Sequence, residues 1–215
     1  YIYIIYMFLV SILIPTLIER RNEFQTMIDN LYKQINDNNL QKKIEVIYIC
    51  DNRSIPLTQK RNMLQKMCNG LYFTHLDDDD NFTDDYCISV VKFIEDMQSP
   101  LDIISYNQIA YVKKDIFIVV PSIQHNFNLT PKEIEFDEDM NPIKTYPSYY
   151  RYPWQWCLWK TSKFKKVYRT DADTNAREDV NWLRKCNLEY PENMGYINKV
   201  LHHYHFENPE KSTCQ

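Results

Sequence analysis

Glycine is nearly absent: of 215 residues only Gly70 and Gly195 are glycine. A Walker loop and a G-x-G-x-x-G turn each need several glycines close together, so both of these phosphate-cradling loops are excluded. Basic charge is also in deficit, with 25 Lys and Arg against 29 Asp and Glu and a net charge of -4. A broad nucleic-acid-binding surface is therefore not expected, because neutralised phosphates supply most of that affinity. The six cysteines, Cys50, Cys68, Cys87, Cys157, Cys186 and Cys214, contain no C-x-x-C pair. Spread in this way, with Cys50, Cys68 and Cys87 among apolar residues, they read as reduced thiols in a core, neither a disulfide framework nor a zinc site. A long apolar run is missing too. Residues 1–14 have no basic stretch before them and are stopped by Pro15, which is short for a membrane span. A membrane anchor is the lesser reading of that run and a buried strand the better one. Met7 and the Phe-Leu-Val-Ser-Ile-Leu-Ile-Pro after it read as a natural start, with residues 1–6 an upstream extension. The expected setting is cytoplasmic, at most peripheral to a membrane. No Ser/Gly-rich or Pro-rich linker divides the chain, whose length suffices for one domain with a real core.

What the chain does have is alternation. Residues 8–14 are a continuous β-branched and apolar run, the pattern of a strand covered on both faces, with Pro15 as its end. Phe24, Met27, Ile28, Leu31 and Ile35 then recur at helical spacing, with Asn22 as a cap and Glu23 in the first turn. Residues 44–50 repeat the strand and 58–69 the helix, with Gly70 in the stop position. Residues 71–76 form a third strand. Thr83, Asp84 and Asp85 open a third helix, which buries Val90, Val91, Ile94 and Met97 and stops at Pro100, and 101–106 read as a fourth strand. This order predicts an α/β fold with a mostly parallel sheet and helices on both faces. Beyond Tyr106 the periodicity weakens: 110–120 read as one or two strands and 122–150 as long loops. Tyr146, Tyr149, Tyr150, Tyr152, Trp154, Trp156 and Trp159 form a dense aromatic group, suited equally to a core and to stacking on sugar rings.

In open α/β sheets ligands bind beyond the carboxyl ends of the strands. The residues there are Pro15-Thr16, Asp51-Asn52-Arg53 and, after the third strand, Asp77-Asp78-Asp79-Asp80. Four adjacent carboxylates repel one another, and a divalent cation is the simplest thing that would stabilise them. A solvated acidic turn is the plainer alternative. Lys160, Lys163, Lys165, Lys166 and Arg169 read first as a solvated face and second as a contact for a diphosphate or acidic acceptor.

Taken in order, Ser11-Ile-Leu-Ile-Pro-Thr16, Lys60-Arg61-Asn62, Leu76-Asp-Asp-Asp-Asp80 and Glu178-Asp179 resemble the family 2 glycosyltransferases of the GT-A fold, over 8–185. The resemblance implies one GT-A domain, Rossmann-like, across 1–215, with a nucleotide-sugar-binding half at 8–106 and an acceptor-side half at 107–215. It implies transfer of a sugar, with inversion, from a nucleotide-diphosphate donor, foremost a UDP-sugar, to a hydroxyl of a glycan, protein or lipid-linked acceptor. On that likeness Pro15 and Thr16 border the base, Asp51 binds it, and Arg61 reaches base or phosphate. Asp77 contacts ribose or metal, Asp78 counts with it among the nucleotide-sugar contacts although it stands where the family has a small residue, and Asp79 is the metal ligand; Asp78 with Asp80 is the other register. His203 or His205 would complete the metal shell, and Asp179 would be the general base. Mn²⁺ or Mg²⁺ suits oxygen ligands and a diphosphate leaving group. Glu178-Asp179 also reads as a capping pair for the helix carrying Val180, Trp182 and Leu183, where a helix N-terminus would hold a carboxylate ionised. His75 is expected to be structural. Two other classes compete. A haloacid-dehalogenase-like phosphatase would want its D-x-D near the domain start and a later Gly-Asp, and neither glycine here precedes Asp. A carbohydrate- or calcium-binding module would use the same acids and aromatics without turnover.

Overall fold

The structure, a computed structural model, describes residues 7–112, 115–123, 132–136, 142–170, 178–189 and 191–206. Its centre is strand β1 (Phe8–Leu17), buried from Val10 onward and paired in parallel with β2 (Ile44–Asp51) on one side and β3 (Gly70–His75) on the other. Pro15 does not end β1 as expected. Register with β2 runs on to Leu17 opposite Asp51, whereas the β3 ladder stops at Leu13 opposite His75. Past that point one edge is released from pairing, and a residue without an N–H is tolerated there.

Both glycines serve close approach. A Cβ on Gly70 would lie 2.7 Å from the Ser11 nitrogen, so this residue opens β3 instead of stopping helix α2 (Leu57–Met67). On Gly195 it would lie 2.5 Å from Leu101 Cδ1.

Helix α1 (Arg21–Asp37) follows a 3-10 turn at Ile18–Arg20 and buries Met27, Ile28, Leu31 and Ile35, the predicted face. The chain runs from β1 through α1 to β2 at the sheet edge, then through α2 back across β1 to β3. Right-handed crossovers in opposite directions put α1 and α2 on opposite faces. Packing agrees: α1 meets α3 (Tyr86–Asp96), while Gln65 on α2 donates to the carbonyls of Phe164, Lys165 and Val167. Strand order reverses beside β1, the place where such sheets collect ligands.

The expected fourth strand is β5 (Ile103–Val112), and it does not touch β3. Strand β9 (Leu158–Lys160) lies between them, antiparallel to both. Along the other edge of β5 runs β10 (Met194–Phe206), in parallel, and β10 also pairs with β4 (Asn81–Phe82). The central sheet is thus mostly parallel, with helices on both faces and antiparallel strands at its insertions. Residues 110–120 are two strands, the end of β5 and β6 (Asp115–Pro121). The stretch expected to be long loops holds β7 (Lys132–Phe136) and β8 (Pro142–Arg151), paired to each other, with β8 also beside β6. Pro142 and Pro147 interrupt the sequence pattern of β8, and residues 124–131 and 137–141 lie outside the described residues.

On one face of the sheet Trp159, Trp182, Phe73 and His75 meet edge to face, flanked by the one-turn helix α4 (Thr161–Phe164) and closed by helix α5 (Glu178–Leu188). Tyr106, Trp156, Phe82 and His202 make a second aromatic cluster. Tyr152, Trp156 and Trp159 of the dense aromatic group are therefore core. Cys68, Cys87, Cys157 and Cys186 are buried free thiols; Cys50 is exposed, because β2 is the last strand on its side of the sheet. Among the described residues no helix is long and apolar enough to cross a membrane.

Candidate active site

A cavity of about 240 Å³ opens where β1, β2 and β3 end, lined by Pro15, Thr16, Arg20, Arg53, Lys60 and Asp78 among others. Asp51 is not on its wall. The Asp51 carboxylate is buried beneath, accepting from Lys60 Nζ at 2.5 Å, the Ile55 amide at 2.7 Å and Ser54 Oγ at 3.2 Å. Burial alone would raise this carboxyl, but the Lys60 ammonium and the Ile55 amide outweigh it and hold it below its usual value. Lys60 Nζ also donates to the Thr16 carbonyl at 3.0 Å, so Asp51 fixes both this wall cation on α2 and, through Ser54 and Ile55, the 51–55 loop. Within that loop Arg53 has a φ of 69° and pairs with Glu19. A non-glycine residue in the left-handed region stores on the order of 1 kcal/mol of strain, and such positions gather at binding sites.

The acidic run alternates. Side chains of Asp77 and Asp79 are 44% and 57% exposed, those of Asp78 and Asp80 only 3% and 10%. Asp78 turns inward to accept from Thr16 Oγ1 at 2.7 Å and to meet Arg20 at 3.0 Å. Burial pushes its carboxyl up to about 6, against the pull of Arg20 and Thr16. Asp80 turns inward as well, accepting from the Asp77 amide at 2.8 Å, with His202 Nε2 at 3.0 Å. His202 Nδ1 accepts from Gln108 Nε2 at 2.7 Å, and its Nε2 faces Asp80 off the hydrogen-bond direction. Outward-facing Asp79 meets Arg20 at 2.6 Å and outward-facing Asp77 meets Arg61 at 2.5 Å.

Among the described residues no three metal-ligating side chains converge. The two outward carboxylates are nonetheless hard oxygen donors on one rim. A Mg²⁺-type ion is commonly held by one or two carboxylates together with substrate phosphate and water, so the donor set fits such an ion without a third protein ligand.

Arg61 lies outside the cavity. It is 2% exposed, with one nitrogen on Asp77 and Nε 2.9 Å from Glu178 Oε1, off the hydrogen-bond direction. The other oxygen of Glu178 pairs with Arg169, which reaches Gln155 at 3.3 Å and His75 at 3.4 Å. His75 is fully buried, and burial followed by the Arg169 and Arg61 charges holds it neutral, far below its ordinary value. Asp179 follows Glu178 at the start of α5. Its Oδ1 accepts from the Val180 amide at 2.7 Å, and it sits within electrostatic reach of Arg61 and Asp77. The helix start does not lower it as expected: burial dominates and raises its carboxyl.

Of the late histidines, His202 is the one brought to the acidic run. His203 points to the other side of β10 and stacks on Tyr111, ring centroids 6.1 Å apart. The side chain of His205 lies outside the described residues. In the basic stretch, Lys160 and Lys163 pair with Asp102, Lys165 donates to the Cys68 carbonyl, and Arg169 is the buried partner of Glu178.

No family model and no curated protein matches this sequence. Solved structures do. S. aureus TarS 1–349 in complex with UDP-GlcNAc superposes with a TM-score of 0.57 at 16% identity, covering 93% of this chain and 59% of that one. TarS 1–349 in complex with UDP gives 0.58 at 16% identity, covering 93% and 61%. TarS is a GT-A family 2 glycosyltransferase. The chain has the GT-A fold. It spans about three fifths of the length of these TarS chains.

Within this GT-A sheet, several residues that build the site carried little signal. Arg20 is a wall cation whose carboxylate partner Asp78 is distant in sequence, and Lys60 stood in the Lys60-Arg61-Asn62 motif with no role of its own. Gln155 enters beside Asp77 because the segment before β9 bonds to the end of β3, the His75 amide donating to the Gln155 carbonyl at 3.1 Å. Arg20 alone had a local signature: two adjacent arginines at a helix start, where the dipole disfavours positive charge.

Proposed function

We propose that this chain moves a sugar from a nucleotide-diphosphate donor, a UDP-sugar, to an acceptor hydroxyl, with inversion and with Mn²⁺ or Mg²⁺. The observation that carries the proposal is the layout at one sheet edge. A cavity with cationic walls borders Asp77 and Asp78, and a carboxylate of raised pKa, Asp179, lies within electrostatic reach of Asp77. The UDP and UDP-GlcNAc complexes of TarS support the choice of donor. Five free thiols in the described residues support a cytoplasmic setting.

Pro15 and Thr16 border the nucleoside, and Asp51 acts through Lys60 and the 51–55 loop. In the acidic run, Asp77 with Asp79 is the outward register, while Asp78 and Asp80 anchor the run to Thr16 and His202. Asp79, with Asp77, would hold the divalent ion, which supplies charge stabilisation to the leaving diphosphate. The acceptor oxygen bonds to the anomeric carbon as the carbon–oxygen bond to the diphosphate breaks. Its proton passes to Asp179 and the nucleoside diphosphate leaves. A carboxyl raised by burial is better matched to that proton than an ordinary one.

The test is release of UDP from a panel of UDP-sugars with Mn²⁺, Mg²⁺ or chelator. Metal-dependent release is expected with at least one donor, and Asp79→Ala should abolish it. Release from no donor, combined with a melting temperature unmoved by UDP and Mn²⁺, would sink the proposal.

A further inference from the structure

Arg20 breaks a local rule. Helix starts favour Ser, Thr, Asp or Asn, and the exposed amides there repel cations. Yet Arg20 immediately precedes α1, with Arg21 as its first residue, and it makes no side-chain cap. Residues that violate local preference are often placed for a site. Here the guanidinium spans one inward and one outward carboxylate of the acidic run, 3.0 Å from Asp78 and 2.6 Å from Asp79, with its side chain 18% exposed on the cavity wall.

The other two cavity cations differ from it. Lys60 is locked, buried between Asp51 and the Thr16 carbonyl. Arg53 pairs with Glu19, and both of those side chains are more than half exposed. Only Arg20 among these three both faces the cavity and occupies Asp79, the carboxylate assigned above to the divalent ion. Two positive charges on one exposed carboxylate repel. A diphosphate offers a guanidinium an alternative, because its paired oxygens match the planar fork.

We propose that Arg20 is an exchangeable counter-ion. It neutralises Asp78 and Asp79 before ligands bind and transfers to the donor diphosphate as the divalent cation takes Asp79. This deepens the donor reading above and rests on it. The consequence is thermodynamic: metal competes with Arg20 when it binds alone, nucleotide removes the competitor, and each ligand therefore tightens the other by the same factor.

Mn²⁺ affinity read from the electron paramagnetic resonance of the free ion, without and with saturating UDP, tests this on the full chain and on Arg20→Met. The wild type should bind Mn²⁺ weakly alone and about tenfold or more tightly with UDP. Arg20→Met should bind Mn²⁺ alone about tenfold tighter than wild type, and its gain from UDP should be correspondingly smaller, leaving only what direct ligation of the ion by the diphosphate supplies. Arg20→Lys keeps the charge and the turn but cannot bridge both carboxylates, so it should shift in the same direction by less. Unchanged or weaker binding of Mn²⁺ alone in both variants, when the wild type takes UDP with Mn²⁺, would overturn the counter-ion and leave the donor reading standing. A wild type that binds neither ligand would overturn both.

Discussion

Two sets of ion pairs hold the acidic run, one from inside and one from outside, and they use the same residue type for opposite ends. From inside, Arg61 joins Asp77 to Glu178, and Glu178 joins Arg61 to Arg169, with both guanidinium side chains 2% exposed or less. From outside, Arg20 spans Asp78 and Asp79 at the cavity wall. A buried pair has surrendered its hydration, so removing one member strands the other; an exposed pair can exchange partners with water or ligand at little cost. Burial, not the arginine, decides which is scaffold and which is free to act. The same division falls between neighbours at the start of α5, where Glu178 is 3% exposed and saturated by two cations, while Asp179 beside it is half-buried.

These neighbours give the sharpest way to break that comparison. Asp179→Asn keeps the shape and removes the proton acceptor. Transfer should fall by about 10²- to 10⁴-fold, the usual worth of a positioned base, while melting temperature and UDP affinity stay close to wild type. Full transfer in this variant would mean the base lies elsewhere. Glu178→Ala should do the reverse, stranding Arg61 and Arg169 without their shared carboxylate. Urea unfolding should show a loss of about 3–5 kcal/mol, typical of breaking a buried pair from one side. A loss near zero would show that the two guanidiniums find water, and the distinction between inner and outer sets would collapse.

How far sequence reaches into this molecule follows the same line. Strands β1 to β3 and helices α1 to α3 were legible because a strand covered on both faces is a continuous apolar run and a surface helix repeats at 3.6 residues. Strand β9 was not: three residues carry no period, and they join the sheet through partners at Tyr72, Phe73, Ile103 and Ile104 that lie far away in the chain. At the site, the rule that ligands gather past strand ends placed Pro15, Thr16 and the acidic run on one edge without any contact being known. The same rule said nothing of what holds them. Its motif makes Arg61 a nucleotide contact, yet it spends its charge on Asp77 and Glu178. The family likeness offers His203 or His205 and not His202, because alternation alone does not say which face of β10 meets the run. A motif identifies neighbours along the chain, whereas an ion pair is satisfied across it.

A third site tests whether burial really grades these pairs, because it stands between the buried pairs of Glu178 and the half-exposed pair of Arg20 with Asp79. Asp102 is only 8% exposed, but its partners Lys163, at 2.9 Å, and Lys160, at 3.8 Å, are each about a quarter exposed. The Glu192 amide donates to it as well, at 2.9 Å, tying the approach to β10 onto the start of β5. Burial would raise this carboxyl, but Lys163 and the Glu192 amide outweigh it and keep it below its ordinary value. In the unfolded chain it titrates near the free value of about 3.9. As pH falls the unfolded state therefore takes the proton first, so the stability from Asp102 is present above about pH 4 and is lost as pH drops through the lower folded value. Asp102→Asn lacks that titration. It should melt below wild type at pH 7 by the equivalent of about 1 kcal/mol or less, and the two curves should converge toward pH 3. A gap that persists in acid would assign the loss to hydrogen-bond geometry at Glu192 instead of charge, and a gap as large as that of Glu178→Ala would mean that a partly solvated pair can hold this fold as firmly as a buried one.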